Sequence, residues 1–155
     1  MKLKHIFIVV LTSAILLLMG CSNTGIKEKD SEFPPTMTGQ VIINGMEYQI
    51  EDGSYRWERK KGLGTEVVQT DYISPYQMAD KLELISVSPN EKVDIRIEEN
   101  PDIKVYLWNE EGREKEIKHN SNEFTLPANK GTYIYEVLAE WTNGEVSYTF
   151  VVDIR

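Results

Sequence analysis

From Gly39 onward the sequence predicts an all-β domain, an antiparallel sandwich or barrel. Three observations lead there. Two Asn-Gly dipeptides, Asn44-Gly45 and Asn143-Gly144, each sit between β-rich runs, the strongest short-range hairpin signal. The segments Tyr133 to Trp141 and Val146 to Ile154 place apolar or aromatic residues at every second position, the period of a half-buried strand. Turn clusters recur between the other β-rich runs, at the short spacing typical of sandwiches and barrels.

The elements follow in order. Val41-Ile42-Ile43 and Tyr48-Gln49-Ile50 flank Asn44-Gly45 as the first hairpin, and Glu51-Asp52-Gly53 predicts a turn into Tyr55-Arg56-Trp57. Ser74 directly before Pro75 is the arrangement of a capping residue and a first helical proline, so Ser74 to Lys81 predicts one short helical turn. Strand runs come next at Leu82 to Val87, Val93 to Ile97, Ile103 to Trp108 and Glu123 to Leu126. Turns at Ser88-Pro89-Asn90, Asn100-Pro101-Asp102 and Glu111-Gly112 separate them. In the last hairpin, a two-residue Asn143-Gly144 loop pairs Trp141 with Val146, Ala139 with Tyr148, Val137 with Phe150 and Tyr135 with Val152. That register gathers a core face and leaves Glu136, Leu138, Glu140, Ser147 and Thr149 on a mixed face.

Residues 1–20 read as a leader rather than as fold. Lys2 and Lys4 precede an apolar run from Ile6 to Met19, too short for a typical membrane span and suited to a signal peptide. The run ends Leu18-Met19-Gly20-Cys21, which resembles the bacterial lipobox: an aliphatic residue, a variable one, a small one, then cysteine. A thioether-linked lipid requires the thiol of Cys21, and the cleaving peptidase requires a small residue at Gly20. The resemblance implies diacylglycerol on Cys21, cleavage after Gly20, and Leu18 and Gly20 as recognition residues. Two acyl chains, at about 0.8 kcal/mol per buried CH₂, anchor stably where one does not. The expected place is the extracytoplasmic face of the cell membrane. Lys2 and Lys4 leave with the leader and no acid does, so the net charge of −8 becomes −10. Residues 21–38 are polar and charged, contain Pro34-Pro35, and read as a lipidated, flexible tether before a domain at 39–155.

The pattern Phe124-x-Leu126-Pro127, then Lys130-Gly131-Thr132-Tyr133-x-Tyr135-x-Val137-x-Ala139-x-Trp141, then Gly144-x-Val146-x-Tyr148-x-Phe150-x-Val152, resembles the last strands of bacterial immunoglobulin-like domains. With Cys21 and Gly53-Ser54-Tyr55-Arg56-Trp57, it resembles small lipoproteins of Bacillus and its relatives. The resemblance implies an immunoglobulin-like β-sandwich without the cysteine pair of antibody domains.

Function is bounded mainly by what is scarce. An acidic chain lacks the clustered basic surface that nucleic acid requires. A single cysteine excludes an intrachain disulfide and a cysteine-rich zinc site. The only histidine after the leader, His119, lies in a charged, loop-like stretch with no nucleophile elbow in the chain. Carboxylate pairs such as Glu98-Glu99 and Glu110-Glu111 read as solvated loops, and neither loop has the EF-hand spacing, which disfavours Ca²⁺. Gly62-Leu63-Gly64 lacks the third glycine of a phosphate loop. Arg56, Arg59, Lys60 and Lys61 form the one basic cluster, read as a flexible, solvated loop. Two aromatic pairs, Tyr55 with Trp57 and Tyr106 with Trp108, each share one strand face. Each is core or a binding platform. The expectation is therefore a membrane-anchored binding module rather than an enzyme, with an envelope protein or cell-wall component as partner. The C-terminal pattern also resembles, distantly, small proteinase-inhibitor domains of immunoglobulin-like shape. That alternative makes the protein a regulator or inhibitor of an exported enzyme acting through Gly62-Leu63-Gly64-Thr65. A hydrolase using carboxylates or His119 is the other.

Overall fold

Asn44-Gly45 makes the turn that its sequence demands. In the computed structural model, which describes residues 32–155, Asn44 and Gly45 both take positive φ, 52° and 77°. This is the type I′ turn whose twist matches a hairpin. It joins β1 (Gly39–Ile43) to β2 (Met46–Gln49), with Ile43 opposite Met46. β1 also pairs antiparallel with β6 (Lys92–Ile97), which pairs with β9 (Glu123–Thr125), so the smaller sheet runs β2-β1-β6-β9. The larger sheet runs β4-β3-β11-β10-β7-β8. Its strands are β3 (Glu51–Lys61), β4 (Gly64–Thr70), β7 (Asp102–Asn109), β8 (Gly112–Ile117), β10 (Gly131–Trp141) and β11 (Gly144–Ile154). A further strand, β5 (Leu84–Val87), lies parallel to the end of β11, while the other pairs are antiparallel.

The two sheets pack as a β-sandwich. Val41, Ile43, Val93, Ile95 and Phe124 of the smaller sheet face Val105, Tyr135, Val137, Tyr148, Phe150 and Val152 of the larger. Tyr135 links the layers: its ring lies 5.2 Å from Phe124 on one side and 5.2 Å from Phe150 on the other. Burial of such large apolar groups is the dominant favourable contribution to the fold.

The last hairpin departs from its expected register. Trp141 lies opposite Gly144, Ala139 opposite Val146, Val137 opposite Tyr148 and Tyr135 opposite Phe150. The turn is Thr142-Asn143, not Asn143-Gly144. A shift of two residues keeps every side chain on its expected face. The cause lies in the third strand across: Gly144 sits opposite Trp57 of β3, where a Cβ would stand 2.1 Å from the indole. Gly144 is therefore a strand residue that admits the tryptophan rather than a turn residue.

Three other expectations are corrected. Glu51-Asp52-Gly53 is no turn: it opens β3, and the ladder to β11 shifts register there between Val146 and Tyr148, a β-bulge. The supposed loop around Gly62 is a tight turn joining β3 to β4, with Gly62 alone of its two residues at positive φ (61°), as in a II′ hairpin. The charged stretch before His119 contains β8. Four adjacent exposed residues in β8 give no alternation for a sequence reading to find.

Ser74 to Lys81 forms the expected helical turn, α1 (Pro75–Ala79). Ser74 Oγ accepts from Gln77 N (3.3 Å) and Gln77 Oε1 accepts from Ser74 N (3.2 Å), a complete capping box. The leader, Leu18, Gly20, Cys21 and the tether through residue 31 lie outside the described residues. The end of the tether belongs to the sandwich: Phe33 and Met37 pack against the core, and Tyr148 donates its hydroxyl to Met37 O (2.8 Å). Thr38 and Glu98 exchange two further hydrogen bonds.

Candidate functional site

The two aromatic pairs have opposite fates. Tyr55 and Trp57 point into the sandwich; Trp57 is 1% exposed and tilts against Trp141 with ring centroids 5.1 Å apart. They are core and offer no platform. Tyr106 and Trp108 alternate with the buried Ile103, Val105 and Leu107, and so lie half-buried on the outer face of the larger sheet.

That outer face carries the group that sequence reasoning missed. Glu136 sits in the middle of β10, its side chain only 4% exposed. Its Oε2 accepts from Trp108 Nε1 (2.6 Å) and Arg113 Nε (2.7 Å). Its Oε1 accepts from Arg113 Nη2 (2.8 Å) and Ser147 Oγ (2.9 Å). Four donors fill the acceptor sites of one carboxylate. Burial opposes ionisation of Glu136, but the hydrogen bonds from Arg113, Trp108 and Ser147 outweigh it and hold the carboxyl below its usual range. Arg113 in turn lies over the Tyr106 ring at 4.1 Å. The two-toothed grip on Glu136 leaves its Nη1 donors for solvent or a ligand.

α1 roofs this network. Met78 and Pro75 are its buried residues, and Thr149 Oγ1 meets Met78 Sδ at 3.6 Å. The β3 bulge places Gly53 under the same methionine, 3.3 Å from a Cβ position to Sδ. Between roof and sheet lies a cleft of about 440 Å³, walled by Tyr72, Ile73 and Pro75 on one side and Trp108, Arg113 and Glu136 on the other. Tyr72 and Ile73 are exposed at its mouth. An apolar rim around a few fixed polar groups is the usual make-up of a ligand cleft. The four hydrogen bonds hold the Glu136 carboxylate in one orientation and fix Trp108 and Arg113 against it.

Glu136 amid apolar residues at the middle of β10, with Ser147 and Thr149 in the facing strand, is the sequence signal for this site. It is easily passed over, because a half-polar strand face ordinarily meets solvent.

The other candidates are spread elsewhere. His119 engages the carbonyl of Ile103 through Nε2 (3.1 Å). The basic cluster lies on the β3–β4 hairpin and is only partly neutralised there: Arg56 pairs with Glu58, and Arg59 and Lys61 share Glu66. Arg59 also covers the Phe33 ring at 4.3 Å. Leu63 stands fully exposed at the hairpin tip. Of the loops weighed for Ca²⁺, Glu98 accepts from Thr38 N, and Asn109 Oδ1 accepts from Glu111 N (2.9 Å). Among the described residues, no three His, Cys, Asp or Glu side chains are placed to hold a metal ion. Leu18, Gly20 and Cys21 lie outside those residues.

Compared with protein-family models, curated proteins and solved structures, the chain matches none. The β-sandwich and its outer-face cleft are the features of a structural or binding module.

Proposed function

We propose that the protein is a lipid-anchored, extracytoplasmic binding module whose immunoglobulin-like sandwich receives part of an envelope partner in the cleft beneath α1. The observation that carries the binding reading is the Glu136–Arg113–Trp108 network. It spends a buried carboxylate on fixing an indole and a guanidinium at the wall of an apolar-mouthed cleft. The anchor rests on Leu18-Met19-Gly20-Cys21 alone.

Strand order supports the immunoglobulin-like reading. β6 lies beside β9 in one sheet, and β7, β10 and β11 are neighbours in the other, as B with E and C with F and G in that fold. Tyr133, near the start of β10, donates its hydroxyl to Asn129 O (3.0 Å), the geometry of a tyrosine corner. β1 to β4 are additions to that pattern, and the core tryptophan comes from β3 rather than β7.

The test is capture of membrane partners by the lipidated chain, compared with Tyr72→Ala/Ile73→Ser and with Cys21→Ser. The expected result is that the cleft variant keeps its unfolding midpoint and loses its partner, while Cys21→Ser leaves the membrane fraction. Capture undiminished by Tyr72→Ala/Ile73→Ser overturns the cleft reading; membrane retention of Cys21→Ser overturns the anchor. The exposed tip residue Leu63 favours the inhibitor as second reading. It expects an exported protease to be blocked by the chain and released by Leu63→Ser.

A further inference from the structure

The sandwich protects its sheet edges unevenly. β2, β5 and β9 are only three or four residues long. β8 carries Arg113, Glu114, Lys115 and Glu116. Short or charged edges discourage pairing with other chains. β4 is different: Gly-Thr-Glu-Val-Val-Gln-Thr has seven residues and one charge, and that charge, Glu66, is neutralised within its own hairpin by Arg59 and Lys61. Val67 stands 45% exposed.

We propose that the β4 edge is a self-association surface that pairs antiparallel with β4 of a second copy of this chain, about a two-fold axis at Val67. The backbone supports that register. Lys61 and Gly64 flank the two-residue turn, so they form a hydrogen-bonded pair, and pairs alternate from there. Gly64, Glu66, Val68 and Thr70 therefore bond to β3, while Thr65, Val67 and Gln69 turn their N–H and C=O groups outward. An axis at Val67 sets these three against one another: Val67 against Val67 of the second copy, and Thr65 against its Gln69. The two exposed valines then cover each other.

Charge selects the same orientation. The hairpin tip is basic, with Arg59, Lys60 and Lys61, whereas its base carries Glu51, Asp52 and Asp71. Antiparallel pairing lays the tip of one copy beside the base of the other; parallel pairing sets the two tips together. The place where the chain joins the sandwich also fits. Phe33 lies beneath Arg59, which is opposite Glu66, one residue from the axis. A two-fold axis perpendicular to the joined sheet keeps the Phe33 segments of the two copies on the same side, as two anchors in one membrane require. That last point alone rests on the proposed anchor.

The test uses the full chain in solution, with Cys21→Ser removing its only thiol. Thr65→Cys and Gln69→Cys are then introduced together, and a bis-maleimide with a two-carbon bridge is applied. Cross-linked dimer is expected as the main product of the double variant and only as background for Thr65→Cys alone. Val67→Lys or Val67→Pro, added to the double variant, is expected to reduce the dimer to background with the unfolding midpoint retained, since the Val67 N–H is not used within the hairpin. No dimer in the double variant overturns the proposal. So does an equal yield from Leu63→Cys, which reports random collision of tips, or a yield unchanged by both Val67 substitutions. If the edge instead pairs with an extended segment of another protein, Val67→Pro abolishes that capture while the double variant stays monomeric, which also overturns self-pairing.

Discussion

Replacing Gly144 with alanine tests how the core is built across three strands. The new methyl would stand 2.1 Å from Cε3 and 2.4 Å from Cδ2 of Trp57, and 2.8 Å from the Arg56 carbonyl oxygen. Carbon atoms rest about 3.5–4.0 Å apart, so ring or strand must move by roughly 1.4 Å or more. Trp57 has nowhere to go: it is 1% exposed and Trp141 closes its other side at 5.1 Å. Overpacking of this kind costs about 1–3 kcal/mol, and a clash with a buried ring and backbone together belongs at the top, about 3 kcal/mol. For a domain of this size that lowers the melting temperature by roughly 10 °C. Gly64→Ala is the control. Its nearest neighbour beyond the adjoining residues is Lys61 O at 3.9 Å, and it should change stability by less than about 0.5 kcal/mol. Urea unfolding followed by tryptophan fluorescence measures both. A double cycle with Trp57→Leu should recover part of the loss, because the two residues contact directly. If Gly144→Ala unfolds within about 1 kcal/mol of the parent, the account of the shifted hairpin register is wrong.

Three further outcomes follow from the same contacts. Glu136 is held ionised in the fold, with its carboxyl below the usual range, so its contribution is complete above the unfolded glutamate value of about 4.3 and is lost as pH falls through the lower, folded one. Urea midpoints at pH 7 and pH 3 should therefore differ less in Glu136→Gln than in the parent; equal differences would exclude this role. At pH 7 the same substitution should cost about 2–4 kcal/mol, since it removes the charge that four donors share and leaves Arg113 half-paired. Tyr148→Phe removes the hydroxyl bond to Met37 O and should cost about 1 kcal/mol, with faster amide exchange confined to residues 33–38; an unchanged exchange map would show that this bond does not hold the segment.

What the sequence disclosed, and what it hid, divides along physical lines. Local signals survive in a linear reading. Asn44-Gly45 makes its turn because left-handed backbone is a property of those two residues, and Ser74-Pro75-x-Gln77 caps its helix with its own side chains. Face assignment survives as well, because period two is indifferent to a shift of two. Register along that face does not, because it depends on Trp57, more than eighty residues away in sequence and brought beside Gly144 only by the fold. Edge strands are hard to read for the converse reason. β8 buries almost nothing, so it leaves no apolar trace, and only its ladder to β7 defines it.

The cleft belongs to this second category. Its wall draws Trp108 from β7, Arg113 from β8, Glu136 from β10 and Ser147 from β11, four strands whose outer faces look merely polar one at a time. A carboxylate on the outer face of a sheet is ordinarily hydrated. Here the Glu136 side chain is only 4% exposed, and its ionised state depends on donors from three other strands. The same dependence makes the wall rigid: Trp108 cannot rotate without giving up its bond to Glu136, and Arg113 cannot leave without giving up two bonds and its contact with Tyr106. Side chains fixed before a ligand arrives lose little entropy on binding. On the proposed binding role, a cleft with a preset polar wall and an exposed apolar mouth is thus better suited to selecting one partner than to adapting to many.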